Sequence, residues 1–326
     1  MAESADSVVK PALREPDRET RELLRLMAAS EHPPMWDLTA PAARALYDPM
    51  TAASAHESEA VLQVEDREIE AGLKVRMYRP DAANSKQPAL LFFHGGGGVL
   101  GNLDTHDAIC RTLANAGELI VIAVDYRLGP EHRFPAAFED AALAWGWVVA
   151  SAAAIGADEA RIAIGGDSAG GCLAAAVTQA AIEEGATAPA FQLLLCPSVD
   201  ATRDAKRFAS VAENSEGFFM TRDLIDWFLG NYLADTQDRG DPRLSPLLGE
   251  WHGKPPPALV ATAGLDPLRD EGEAYAEALS VAGGEVTYRC YEHTIHDFFS
   301  FGRFLSFAVP ALRECAAVMR DTLNRE

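Results

Sequence analysis

A chain of 326 residues with a formal net charge of −21 is repelled by nucleic acid and by anionic membrane surfaces, so neither is expected as a partner. Its hydrophobic fraction of 48% is enough for one large α/β domain with a sizeable core and an added element. No apolar run approaches the roughly 20 residues of a spanning helix, and Met1-Ala2-Glu3-Ser4-Ala5-Asp6 is no basic and apolar leader. The five cysteines are scattered as small buried residues of a reducing compartment would be, so a cytoplasmic protein without stable membrane insertion is expected.

In chain order, residues 1–55 hold a predicted helix near 17–30 and a Pro- and Ala-rich stretch at 33–49, with no catalytic motif. Residues 61–79 alternate as two strands that turn near Glu70-Ala71-Gly72. A rhythm of strand and helix follows, with strands expected at 89–94, 119–124, 161–166, 191–196, 258–263 and 286–291. It implies a mostly parallel sheet covered on both faces. Residues 199–250 interrupt that rhythm, and Asp223-Leu224-Ile225-Asp226-Trp227-Phe228-Leu229 within them is amphipathic and aromatic.

Four strand ends carry chemistry. After the strand at 89–94 comes His94-Gly95-Gly96-Gly97-Gly98, whose bare backbone N–H groups suit an oxyanion. Gly96 and Gly97 are the expected donors, and His94 is a residue that fixes the loop. After 161–166, Gly166-Asp167-Ser168-Ala169-Gly170 fits G-x-S-x-G between a strand and an apolar helix. Ser168 is the candidate nucleophile, Ala169 a third donor, and Asp167 a candidate pocket residue. After 258–263, Asp266 stands where a parallel strand exits. Asp270, in the next helical turn, reads as a capping or solvated carboxylate. After 286–291, His293 and His296 compete for the role of base, and spacing from the strand does not separate them. The remaining histidines, among them His106, read as surface or hydrogen-bonding residues, and no His, Cys and Asp spacing suggests a metal site.

Taken together, these segments resemble the hormone-sensitive lipase family, or family IV bacterial esterases, of the α/β-hydrolases. The resemblance runs from about Leu73 to Gly302. It includes Gly101-Asn102-Leu103-Asp104-Thr105-His106-Asp107, Asp125-Tyr126-Arg127-Leu128-Gly129-Pro130-Glu131-His132 and Asp266-Pro267-Leu268-Arg269-Asp270-Glu271-Gly272. It implies an α/β-hydrolase fold with a mostly parallel eight-stranded sheet, helices on both faces and a helical cap. The cap would comprise 1–55 and 199–250, and the core 56–198 and 251–326. It implies a triad of Ser168, Asp266 and His296, an oxyanion hole at Gly96, Gly97 and Ala169, no metal or organic cofactor, a small ester as substrate, and pairing of two chains through the last strand. The expected activity is that of a serine carboxylesterase on short- to medium-chain esters. Amide, formamide or thioester hydrolysis on the same triad, a lipase, and a non-catalytic ligand-binding protein are its rivals. Two departures bear on the pocket. The family usually has an aromatic residue where this chain has Gly98, which is expected to leave volume open for bulky esters. It often has glycine where this chain has His293 and Asp297.

Overall fold

The computed structural model describes residues 14–81 and 86–325; the start of the chain, 1–13, lies outside the described residues. The strands are β1 (Gln63–Glu68), β2 (Lys74–Arg79), β3 (Gln87–Phe93), β4 (Ile120–Asp125), β5 (Ala157–Asp167), β6 (Phe191–Leu195), β7 (Ala258–Leu265) and β8 (Val286–Ile295). They form one sheet in the order β1-β2-β4-β3-β5-β6-β7-β8. The β1–β2 hairpin is antiparallel and joins β4 antiparallel, while every other pairing is parallel. Parallel neighbours need crossovers. These are α3 (Asp107–Gly117), α4 (Ala136–Ser151), α5 (Ala169–Glu183) and α8 (Arg269–Val281), and α9 (Ala308–Leu323) closes the chain.

The period of two along a strand divides the core. Leu90 and Phe92 of β3 face Ile109, Leu113, Leu312 and Met319 of α3 and α9. Leu91 and Phe93 face Trp145, Val148, Leu173 and Val177 of α4 and α5. Both faces are dry, which is why these strands read as unbroken apolar runs.

Two segments outside this frame lie over the ends of the strands. One holds α1 (Arg18–Ala28) and α2 (Ala40–Ser54). The first of these is the predicted helix, capped by Asp17, whose carboxylate accepts from Thr20 N at 2.7 Å. The Pro- and Ala-rich stretch gives the second, because Pro41 sits in the first turn, where a missing N–H costs nothing. The other segment holds α6 (Ala209–Asn214) and α7 (Arg222–Tyr232). Thr221 caps α7, and Trp227 Nε1 donates to Leu38 O at 3.0 Å, tying the two segments together. Arg44 of α2 fastens them to the body: it donates to Val99 O and Gly129 O and pairs with Glu131 at 2.8 Å. Among the described residues no helix is long and apolar enough to cross a membrane.

Candidate active site

Ser168 stands between the last residue of β5 and the first of α5, with φ 51 and ψ −116. That left-handed φ is strained for serine and turns its side chain away from the sheet. The turn is tight enough that a Cβ on Gly170 would lie 1.9 Å from Phe93 O, so only glycine fits there. Pairing of Phe93 with Gly166 brings the His94–Gly98 loop alongside the serine. The N–H groups of Gly96, Gly97 and Ala169 have no acceptor among the described residues. For Ala169 this follows from its place at the start of α5.

His94 holds the loop from beneath. Its ring stacks on Tyr126 at 4.3 Å, and the Tyr126 hydroxyl donates to His94 O at 2.6 Å. Burial, then the neighbouring His106, lowers its pKa to about 4, so the ring is neutral. Asp167 does not line the pocket, contrary to its expected place. Its carboxylate turns under the same loop, where it meets His106 Nε2 at 3.1 Å and leaves no room for a Cβ on Gly95. The reason is alternation: Asp167 is the last residue of β5, and its side chain points to the side opposite the turn that presents Ser168. Burial opposes charge on His106, but the adjacent Asp167 outweighs it and raises its pKa. That ring reads in the sequence as a surface or hydrogen-bonding histidine; it is not at the surface, because the loop folds over it.

The expectation for Gly98 also needs correction. It lines the cavity, but the volume a side chain would take is already filled by Tyr232 of α7, 2.8 Å from an ideal Cβ. The tyrosine is buried and stands edge-on to Phe134. With φ +70, Gly98 also holds a conformation that costs other residues about 1–3 kcal/mol. Gly98→Ala is therefore expected to lower the urea midpoint and depress turnover of small and bulky esters alike. An unchanged midpoint, with loss confined to bulky esters, would restore the open-volume reading.

β7 and β8 bring the other two groups together. Leu265 pairs with Ile295, so Asp266 and His296 each stand one residue past a paired position. His296 Nδ1 lies 2.6 Å from Asp266 Oδ2, and His296 Nε2 lies 2.9 Å from Ser168 Oγ. Asp266 Oδ1 accepts from Leu268 N at 2.8 Å, which fixes the carboxylate. Burial disfavours a charged His296, but the Asp266 carboxylate outweighs it and raises its pKa above 6.5. His293, the competitor, is exposed and bonds Glu15 O through Nδ1. Asp270 does not cap its own helix α8: its carboxylate accepts from Ser210 N in the first turn of α6 and pairs with Arg269.

Two buried groups bring three ligand-type atoms within 4.8 Å: Cys196, Asp266 and His296, and His106, Asp167 and Asp297. Hydrogen bonds account for Asp266 with His296 and for His106 with Asp167, and burial keeps Cys196 a neutral thiol. Space meets Ser168 on two sides. A cavity of about 60 Å³ is lined by Gly97, Gly98, Ala169, Leu173 and Tyr232. On the other side a space of about 30 Å³ is lined by Ser168, His296 and Asp297. It shares Met35, Tyr47, Phe219 and Asp297 with a groove of about 390 Å³.

Residues 90–300 match the sequence profile of the alpha/beta hydrolase fold family. Carboxylic ester hydrolase LipN of Mycobacterium tuberculosis is 43% identical over 259 residues, 78% of this chain and 68% of the relative. Ethyl acetate hydrolase of Pseudomonas putida is 42% identical over 239 residues, 72% and 74% of the two chains. Among solved structures, an α/β-hydrolase from the metagenome of Lake Arreo, Spain, superposes with a TM-score of 0.90 at 43% identity, covering 94% of this chain and 98% of that one. A thermostable esterase from Pseudomonas putida superposes with a TM-score of 0.90 at 34% identity, covering 96% and 99%. A mostly parallel eight-stranded sheet with a strained serine between β5 and α5 defines an α/β-hydrolase. Within that fold, the chain belongs to the hormone-sensitive lipase, or family IV, group. It is a carboxylesterase.

Proposed function

We propose that the protein hydrolyses short- to medium-chain esters through an acyl-enzyme on Ser168. The observation that carries this reading is the unbroken chain of hydrogen bonds from Ser168 through His296 to Asp266. Ser168 Oγ attacks the ester carbonyl while His296 Nε2 takes its proton. The carbonyl oxygen, now negative, receives the free N–H groups of Gly96, Gly97 and Ala169. The intermediate collapses, the C–O bond to the alcohol breaks, and His296 returns the proton to the departing oxygen. Water, deprotonated by His296, then attacks the acyl carbon, releases the acid and restores the serine. Asp266 holds His296 in the tautomer with the proton on Nδ1 and stabilises the imidazolium. The described part of 1–55, from Arg14 onward, and 199–250 act as one cap, excluding water and shaping the pocket.

The acyl chain is limited by space. Each CH₂ buried adds about 0.8 kcal/mol only while the pocket has room. Activity on p-nitrophenyl esters is expected to peak between acetate and hexanoate and collapse by palmitate. A maximum at palmitate with activation at an interface would point to a lipase. A second expectation concerns pH. His296 must be neutral to accept the serine proton, and Asp266 raises its pKa above 6.5. As pH falls through that raised pKa the base becomes protonated, so kcat/KM should decline with a midpoint above 6.5. A midpoint below that value would mean that burial outweighs the carboxylate.

A further inference from the structure

The acyl-enzyme reading divides the space around Ser168. The departing oxygen takes its proton from His296 Nε2, so the alcohol lies on the side that His296 lines. That is the side of Asp297, opening through Met35, Tyr47 and Phe219 into the groove of about 390 Å³. The cavity of about 60 Å³ on the other side is not lined by His296. The larger half of the site thus belongs to the alcohol and the smaller to the acyl group.

Among the described residues the lining of the groove, mostly apolar and aromatic, holds no carboxylate except at one point. Tyr47, Phe219 and Phe301 wall it, and the two phenylalanines stand edge to face at 5.3 Å. Asp297 is the exception. It is only 8% exposed, yet it lines both the groove and the space beside Ser168. Its Oδ2 accepts from Ser300 Oγ at 3.2 Å, and its Oδ1 has no partner among the described residues. A buried carboxylate oxygen without a donor is costly. Among the described residues no lysine or arginine lines either space. Asp167, His106, His296 and Tyr47 surround it, and His32 stands among the residues lining the groove. Burial and the negative Asp167 push its carboxyl up to about 7, so mildly alkaline buffer leaves it ionised. A single anion in an aromatic-walled groove is complementary to an organic cation: the carboxylate offsets the charge and the ring faces attract it.

We propose, building on the esterase reading, that this site takes short-acyl esters of amino alcohols, with the ammonium group beside Asp297 and the aromatic wall. Asp297 is then a specificity-determining residue for the alcohol half.

The test compares acetylcholine with neohexyl acetate, the same shape with carbon in place of nitrogen, on the full chain in mildly alkaline buffer. The wild type is expected to favour acetylcholine by about tenfold in kcat/KM. Asp297→Asn, which keeps shape and suits a left-handed backbone, is expected to bring that ratio close to one. Tetramethylammonium should inhibit wild-type hydrolysis of neohexyl acetate competitively and inhibit the variant far more weakly. A wild-type ratio at or below one overturns the proposal. So does a variant that loses both esters equally, because Asp297 would then act on His296 instead. Should the variant fail to fold, the wild-type ratio and the tetramethylammonium inhibition decide. If both esters are inert while p-nitrophenyl acetate is hydrolysed, the groove is not the alcohol site. If p-nitrophenyl acetate is inert as well, the carboxylesterase reading fails.

Discussion

Ser168→Ala is expected to lower kcat by on the order of 10⁶-fold, because a nucleophile and its base act as a unit and losing either removes the whole covalent route. The protein should remain folded. Among the described residues the hydroxyl hydrogen-bonds only His296, while the bond from Ser168 N to Leu195 O belongs to the backbone and survives the change. Labelling by an organophosphate should disappear with turnover. Circular dichroism and a thermal melt, run beside the kinetics, separate lost chemistry from lost structure. A folded variant that keeps about a tenth of wild-type turnover would refute the serine mechanism.

The second large effect separates the two histidines. His296→Ala removes the base and is expected to cost a loss similar to that of the serine, again on the order of 10⁶. The partner Asp266 would be left buried without its main hydrogen bond, so some stability goes with it. His293→Ala should keep most activity. Its ring is exposed and holds only the backbone of Glu15, so its effect belongs to the seating of the chain ahead of α1. Kinetics on a single chromogenic ester, with melts for both variants, give the answer. An inactive His293 variant beside an active His296 variant would reverse the assignment.

Much of this arrangement was legible in the sequence, and the reason is local. A buried parallel strand is an apolar run, and a functional loop at its end carries residues that packing alone does not require, as in His94 to Gly98 and Gly166 to Gly170. What escaped was what depends on distant elements. The pocket beside Gly98 is closed by Tyr232, which arrives from α7 far along the chain. Asp167 reads in the sequence as part of the turn after a strand ending at 166, whereas β5 runs on through it, and its facing under the loop depends on His106. The helix α2 was hidden by its prolines, because one starts it and the other lies within it. The choice between His293 and His296 waited on the true end of β8, which runs four residues past the expected 291.

That extra length has a cause in the sheet. Residues 263 to 265 of β7 stand opposite 291 to 295 of β8, so the edge strand bulges, and Glu292 and His293 fall in the slack. The bulge presses so closely on β7 that a Cβ on Gly264 would meet Glu292 O at 1.9 Å. An even number of added residues keeps the same side chains facing the same way. The two residues therefore add no reach, because the pairs on either side of the detour are fixed by β7. What they add is a bend: the bulged edge strand turns locally, and the residue that leaves it at His296 is re-aimed toward Asp266 and Ser168. The aim of the base is thus set by a detour in the backbone rather than by the side chains that occupy it.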